Sequence, residues 1–206
     1  MNTEMVILIV SWLVLFLFTV TFHEVAHGAV AYLRGDRTAK ALGRLTLNPF
    51  RHIDWFWTIL FPLTLFVMTS GKFMIGMAKP VPVNFANLRR PKPDMILVAI
   101  AGPIANLIFA QFLIFLFRAT GNEIFLLGTY LNIGLAVFNL IPIPPLDGSR
   151  ILTGLLPKPY DREYAKLEPY GFLIVMALYI TGLLKAWIIP GINLMAQLFN
   201  IPRIQL

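Results

Sequence analysis

A chain of 206 residues that is 58% hydrophobic and 13% charged, with a mean hydropathy of +0.75, carries more apolar surface than a soluble domain of its size can bury. Its formal charge of +7 sits in short loops between apolar runs, the positive-inside pattern of a membrane protein, so nucleic acid is not the expected partner. With no cysteine, disulfides and thiolate ligands are excluded, and any metal must be held by His and carboxylate.

The first helix is predicted over residues 5–33, ended by Arg34-Gly35-Asp36. It is too long for a signal-peptide core and has no basic start, so it reads as a retained first span. Residues 34–51 are basic and mostly polar, and Asn48-Pro49 breaks any helix there. Residues 55–69 are apolar but short for a crossing. Residues 71–94 are mixed, and within them the alternating prolines of Lys79-Pro80-Val81-Pro82-Val83-Asn84 impose an extended backbone. Residues 95–117 and 124–141 read as spans, followed by breaks at Pro142, Pro144, Pro145 and Gly148. Residues 158–168 are charged and belong at the surface. Residues 170–199 form a last apolar region, interrupted by Lys185 and by Pro190-Gly191, and read as one span plus an interfacial helix, or as a hairpin.

The loops 34–51 and 72–92 each carry five basic residues and are both expected on the cytoplasmic side. That holds only if residues 55–69 are re-entrant or interfacial, and the same choice brings the end of the 124–141 span to the side where His27 lies. The expected fold is an all-α polytopic membrane protein. It has about four to five transmembrane helices and a short membrane-associated extended or re-entrant segment. Residues 1–206 form one domain, with a core at about 5–156 and a C-terminal helix or hairpin at about 170–200.

The first span closes on His23-Glu24-Val25-Ala26-His27, which holds two of the three histidines in the chain. Residues i and i+4 share a helix face, so the two imidazoles can serve one metal, with Glu24 beside them as general base. A catalytic zinc keeps a third protein ligand. Glu4 is at the wrong end of the helix; Asp36, Asp54, Asp94 and Glu123 are read as loop acids needing no partner; Asp161, Glu163 and Glu168 have basic neighbours. Asp147 instead follows the stretch from Phe138 to Leu146 with no basic residue before Arg150, and an acid there calls for a cation. A divalent ion with Asp147 and Glu24 ionised is formally neutral, which suits membrane depth. One Zn2+ per chain on His23, His27 and Asp147 is the expectation; the alternative for Asp147 is a turn or capping residue before Gly148. His52 is expected to bond its own loop rather than a metal.

Three segments in order, His23-Glu24-x-x-His27, Gly102-Pro103-Ile104-Ala105-Asn106, and Asn139-x-x-Pro142 leading to Leu146-Asp147-Gly148, resemble the site-2 proteases, the intramembrane zinc metalloproteases of family M50. The resemblance implies the same ligand set and base. It also implies cleavage of peptide bonds within or near transmembrane segments, with a membrane-anchored regulator as the type of substrate and the lipid bilayer as setting. It suggests that Asn106 and Asn139 line the site, holding substrate backbone or an oxyanion, or else bonding neighbouring helices. Lys79 to Asn84 is similar to the extended segment that some members carry near the site, which could pair with an unwound substrate strand. A prokaryotic cell membrane, with the site toward the cytoplasm, and a minimal form without PDZ or CBS domain complete the expectation. The rivals are a zinc-type prenyl-protein protease, which needs a downstream glutamate that neither Glu163 nor Glu168 supplies well, a membrane metal-ion transporter, and a non-cleaving homologue that binds membrane proteins.

Overall fold

The computed structural model describes residues 3–60, 64, 67–68 and 79–202. Helix α1 (Thr3–Leu33) is followed by a single turn, α2 (Thr38–Ala41), and two short helical turns at Pro49–His52 and Trp55–Leu60. After the extended segment 79–84 come α3 (Pro91–Thr120), α4 (Glu123–Asn139), α5 (Asp147–Leu155), α6 (Tyr160–Ala165), α7 (Gly171–Ile180) and α8 (Leu183–Leu198). No strand occurs among the described residues.

Local chemistry sets the ends. Gly35 takes φ +116° and the Asp36 N–H closes on the Ala31 carbonyl at 2.9 Å, the glycine stop expected after Leu33. Pro91 opens α3 at a position where its missing N–H costs nothing, and Gly121, left-handed at φ +69°, ends it. Asn122 then caps α4, its side-chain oxygen accepting from the Ile124 N–H at 3.1 Å.

Helix α3 is the centre of the bundle, packed by α1, α4 and α5. Leu113, Ile114 and Ile133 are fully buried where α3 meets α4, and Gly128 lets Leu113 and Leu15 close on the α4 backbone. The opposite face of α3 carries Ile104, Ile108, Phe112 and Phe115 exposed. Spaced at helical intervals, they form an apolar stripe that water would not tolerate and lipid would. Val10–Leu33 and Pro91–Thr120 are long and apolar enough to cross a membrane, and α6–α7 with α8 forms a third candidate bent by 81°. The count of four to five spans is therefore not reached by length alone: α4, with 17 residues, extends only about 25 Å.

Two sequence expectations change here. The C-terminal break falls at Gly182, left-handed at φ +78°, whereas Pro190 sits inside α8, which continues through it. Helix α8 runs along α4, with Gly191 against Val137 and the carbonyls of Phe199 and Asn200 reaching Arg118. Asp36 and Asp94, read as ordinary loop acids, are each 1% exposed. Asp94 accepts from the Arg90 N–H at 2.9 Å, and Asp36 fastens the residues after the extended segment to the end of α1. Of residues 55–69, only 55–60, 64 and 67–68 are described, so whether the stretch crosses or re-enters lies outside the described residues.

The ends of these elements meet on one side of the bundle. The Arg89 N–H donates to the Arg34 carbonyl at 3.0 Å, and Lys92 bonds the Leu156 carbonyl and Asp161 at 2.6 and 2.7 Å. The basic loops 34–51 and 79–92 therefore share an end with α5 and α6.

Candidate metal centre

His23 and His27 lie one turn apart on the buried face of α1, against α3. Between the helices sits Gly102. A Cβ there would lie 2.6 Å from Cε1 of each imidazole and closer still to His27 Nε2, so the two rings occupy a cradle that exists because residue 102 has no side chain. Phe22 and Phe109 close the same helix pair one residue away, ring centroids 4.9 Å apart.

Asp147 arrives from the other half of the chain. The prolines after Ile141 stop α4, and the loop folds back so tightly that a Cβ on Gly148 would fall 2.5 Å from the Ile141 carbonyl oxygen. Asp147 opens α5, but Leu146 is the capping residue and no side chain caps this helix. The capping alternative is thus not what the structure shows. Its carboxylate instead faces the imidazoles: Oδ2 is 3.2 Å from His23 Nε2 and Oδ1 is 3.2 Å from His27 Nε2, while the two Nε2 atoms are 3.0 Å apart.

These distances test whether a metal fits. Tetrahedral zinc with ligand bonds of about 2.0–2.1 Å sets its donor atoms roughly 3.3 Å apart, close to the triangle seen here. Asp147 Oδ2 is buried and without a hydrogen-bond partner. Two nitrogens and a carboxylate crowded this closely are placed to share a cation. Zinc suits a donor set of two imidazoles and one carboxylate. Among the described residues, His23, His27 and Asp147 form such a group.

Neighbouring groups orient the donors. His27 Nδ1 donates to the Val98 carbonyl at 2.7 Å; a carbonyl can only accept, so Nδ1 carries the proton and Nε2 presents its lone pair to the site. The Asn106 side-chain amide lies 3.1 Å from His23 Nδ1 and is wholly buried. An amide's two ends have the same shape and are told apart by their partners. Nδ2 is the end placed toward the ring; the amide turned end for end would give His23 the tautomer that Val98 gives His27. Glu24 is fixed from outside α1: the Val81 N–H donates to Oε2 at 2.6 Å, leaving Oε1 as the oxygen that Val81 does not hold.

Val81 belongs to the extended segment, here called the strap. Its start is held by Lys79 N–H on the His52 carbonyl at 2.9 Å and by Arg44 on the Lys79 carbonyl at 2.9 Å. Its end is held by the Asn84 N–H on Asp36 at 2.8 Å. Strap, α1, α4 and α5 enclose a cavity of about 600 Å³ lined by Glu24, His23, His27, Asp147, Asn139 and Arg150, among others.

The structure therefore brings together His23, Glu24, His27 and Asp147 as the sequence suggests. Asn139 lines the cavity and donates from Nδ2 to the Leu135 carbonyl at 3.1 Å. Asn106 stands behind His23 and is not on the cavity lining. His52 is buried in its own loop, bonded to the Thr46 carbonyl at 2.9 Å, and is not part of the metal group. Sequence reading missed the Val98 carbonyl, the Val81 N–H and the cavity position of Arg150. Only Arg150 left a signal, since it lies three residues past Asp147 and so on its helix face.

The sequence profile of peptidase family M50 matches residues 11–123 and 118–181. The chain is 41% identical over 187 residues to the Bacillus subtilis (strain 168) protein named "Putative zinc metalloprotease YwhC", an alignment covering 84% of this chain and 81% of that one. It is 31% identical over 189 residues to "Putative zinc metalloprotease Rip2" of Mycolicibacterium smegmatis (strain ATCC 700084 / mc(2)155), covering 88% of this chain and 70% of the relative. No solved structure matches the chain.

Proposed function

Because the chain belongs to peptidase family M50, we propose that it is a zinc metalloprotease that hydrolyses peptide bonds within or beside transmembrane segments of other membrane proteins. The observation that carries this reading is the convergence of His23, His27 and Asp147 beside a carboxylate, Glu24, held in place by the strap. The names of its relatives support zinc as the metal.

When bound, zinc supplies a Lewis acid that polarises a peptide carbonyl and acidifies water. The chain's own residues do the rest. Val98 keeps His27 in the donor tautomer, and Asn106, with its oxygen turned to Nδ1, would do the same for His23. Glu24 takes the proton of the attacking water at Oε1 and returns it to the leaving amine, while the Val81 N–H on Oε2 limits rotation of the carboxylate. A helical substrate keeps its carbonyls in hydrogen bonds, so it enters unwound. The strap is suited to hold such a strand. Pro80 and Pro82 have no N–H, the amides of Val81 and Asn84 are engaged by Glu24 and Asp36, and the Lys79 and Pro80 carbonyls accept from Arg44, so pairing falls to the carbonyls of Val81, Pro82 and Val83 and to the Val83 N–H. Substrates of this class are membrane-anchored proteins such as regulators.

We place α1, α3, α4 and the α7–α8 pair across the bilayer. The basic loops and the metal group then lie toward the cytoplasmic side, in a prokaryotic cell membrane, a choice supported by the bacterial organisms of the relatives. The test is zinc analysis with cleavage of a model transmembrane substrate by wild type and Glu24→Gln. The variant is expected to keep stoichiometric zinc and lose cleavage by about a thousandfold or more. Full-rate cleavage by Glu24→Gln would overturn the general-base role. Zinc flux without cleavage in the wild type would mark a transporter, and zinc binding with neither would mark a non-cleaving homologue.

A further inference from the structure

The stretch from the end of α6 to the start of α7, set outside the catalytic core by the sequence, touches the Asp147 loop and the helix that follows it at three places. Tyr164 donates from its hydroxyl to the Pro142 carbonyl at 2.7 Å. Gly171, the first residue of α7, lies so near Pro144 that a Cβ would fall 2.5 Å from the Pro144 carbonyl carbon and closer to its oxygen. Glu168 pairs with Arg150, one turn past Asp147. Two of these contacts precede Asp147 and one follows it.

The loop they bracket has little of its own to hold it. Its internal backbone bonds are single turns, Ile143 N–H to Ile141 at 2.8 Å and Leu146 N–H to Ile143 at 2.9 Å. On the inner side it rests on itself through Gly148, so its outer side is set by residues 164–171. Tyr164, Glu168 and Gly171 do not line the cavity, and none can touch a substrate there.

We infer that residues 164–171 form a positioning clamp for Asp147, with Gly171 at its centre, and that the clamp sets metal affinity from outside the helices that carry the histidines. The inference rests on the reading that His23, His27 and Asp147 hold zinc. Ordinary contact begins at 3.4 Å, so a methyl group at residue 171 must push Pro144 by more than the roughly 0.9 Å that its carbonyl carbon alone requires, because the oxygen is closer still. Donor atoms in metal sites are placed to within about 0.2 Å. A displacement of that size, passed along three residues of chain, reaches the carboxylate as a loss of coordination rather than a loss of fold.

The experiment compares the full chain in detergent micelles with Gly171→Ala, Tyr164→Phe and Gly128→Ala. Gly128→Ala is the control: its Cβ would meet the Leu113 and Leu15 side chains at 3.0 and 3.1 Å, near the start of α4 and away from the loop. Zinc affinity is read by chelator competition, and the loop is read by amide hydrogen exchange over residues 140–148 in zinc-stripped protein. Gly171→Ala is expected to weaken zinc binding by about tenfold or more and to speed exchange in the loop. Tyr164→Phe, which removes one hydroxyl and no packing, should do both to a smaller degree, about two- to fivefold. Gly128→Ala should change neither. Wild-type affinity and exchange in both clamp variants would overturn the inference, as would an equal loss of zinc affinity in the control. If the wild type binds no zinc, the metal reading fails, and the exchange comparison alone still decides whether the clamp holds the loop.

Discussion

Replacing Gly102 with alanine puts one methyl group where the two imidazoles converge. Its carbon would lie 2.6 Å from Cε1 of both His23 and His27, against the 3.4 Å at which ordinary contact begins, so both rings must retreat by at least about 0.8 Å, and His27, whose Nε2 is closer, by more. Zinc tolerates donor displacements of about 0.2 Å, and the rings cannot simply slide, because His27 is tied to Val98 and His23 to Asn106. Losing one of three protein donors is expected to weaken zinc binding by about a hundredfold or more, which is about 2.8 kcal/mol. The same substitution favours helix by roughly 1 kcal/mol, since alanine replaces glycine inside α3. The protein should therefore stay helical while losing its metal. Circular dichroism checks the helix, and elemental analysis with chelator competition checks the metal. A Gly102→Ala protein that binds zinc as tightly as wild type would refute the argument that the cradle requires a glycine.

Asn106→Leu leaves His23 Nδ1 without a partner in a fully buried place and should lower zinc affinity by about 10- to 100-fold, read by chelator competition; unchanged affinity would mean that Asn106 does not orient His23. Asp36 is buried, which by itself raises a carboxyl pKa, but hydrogen bonds from Thr38, Asn87 and the Asn84 N–H outweigh this and hold it below the usual range. A lowered folded-state pKa contributes stability above the ordinary carboxylate value of about 3.9, lost as pH falls through the folded value. Protection of the Asn84 amide, its exchange rate measured against the intrinsic rate at each pH, should therefore stay high at pH 5 and fall in the acid range below about 4. A flat profile down to pH 2 would contradict the anchoring role.

How much was legible in the sequence depends on how local each feature is. His23, Glu24 and His27 are related by helical spacing alone, so their shared face needed no tertiary structure. Asp147 was legible for a different reason: a carboxylate amid Phe138 to Leu146 has no local counterion, and an unpaired charge in apolar surroundings is too costly to leave unexplained. The strap was legible because proline restricts its own backbone and that of its neighbour. The same reasoning misplaced the C-terminal break, since Pro190 removes one hydrogen bond from a helix that packing against α4 still holds, while Gly182 turns the chain.

What only the tertiary structure decided are the partners that hold the site. The Val98 carbonyl and the Val81 N–H are groups that nearly every residue owns, so no residue type announces them. Asp36 and Asp94 look like any loop acid until folding buries them against Thr38, Asn84 and Arg90. Gly102, Gly148 and Gly171 matter through the surfaces they allow to meet, which belong to other parts of the chain. The chemistry of the donors is therefore written in residue identity and spacing. Their placement, to the few tenths of an ångström that a metal requires, comes from backbone groups and close approaches that exist only once the helices have packed.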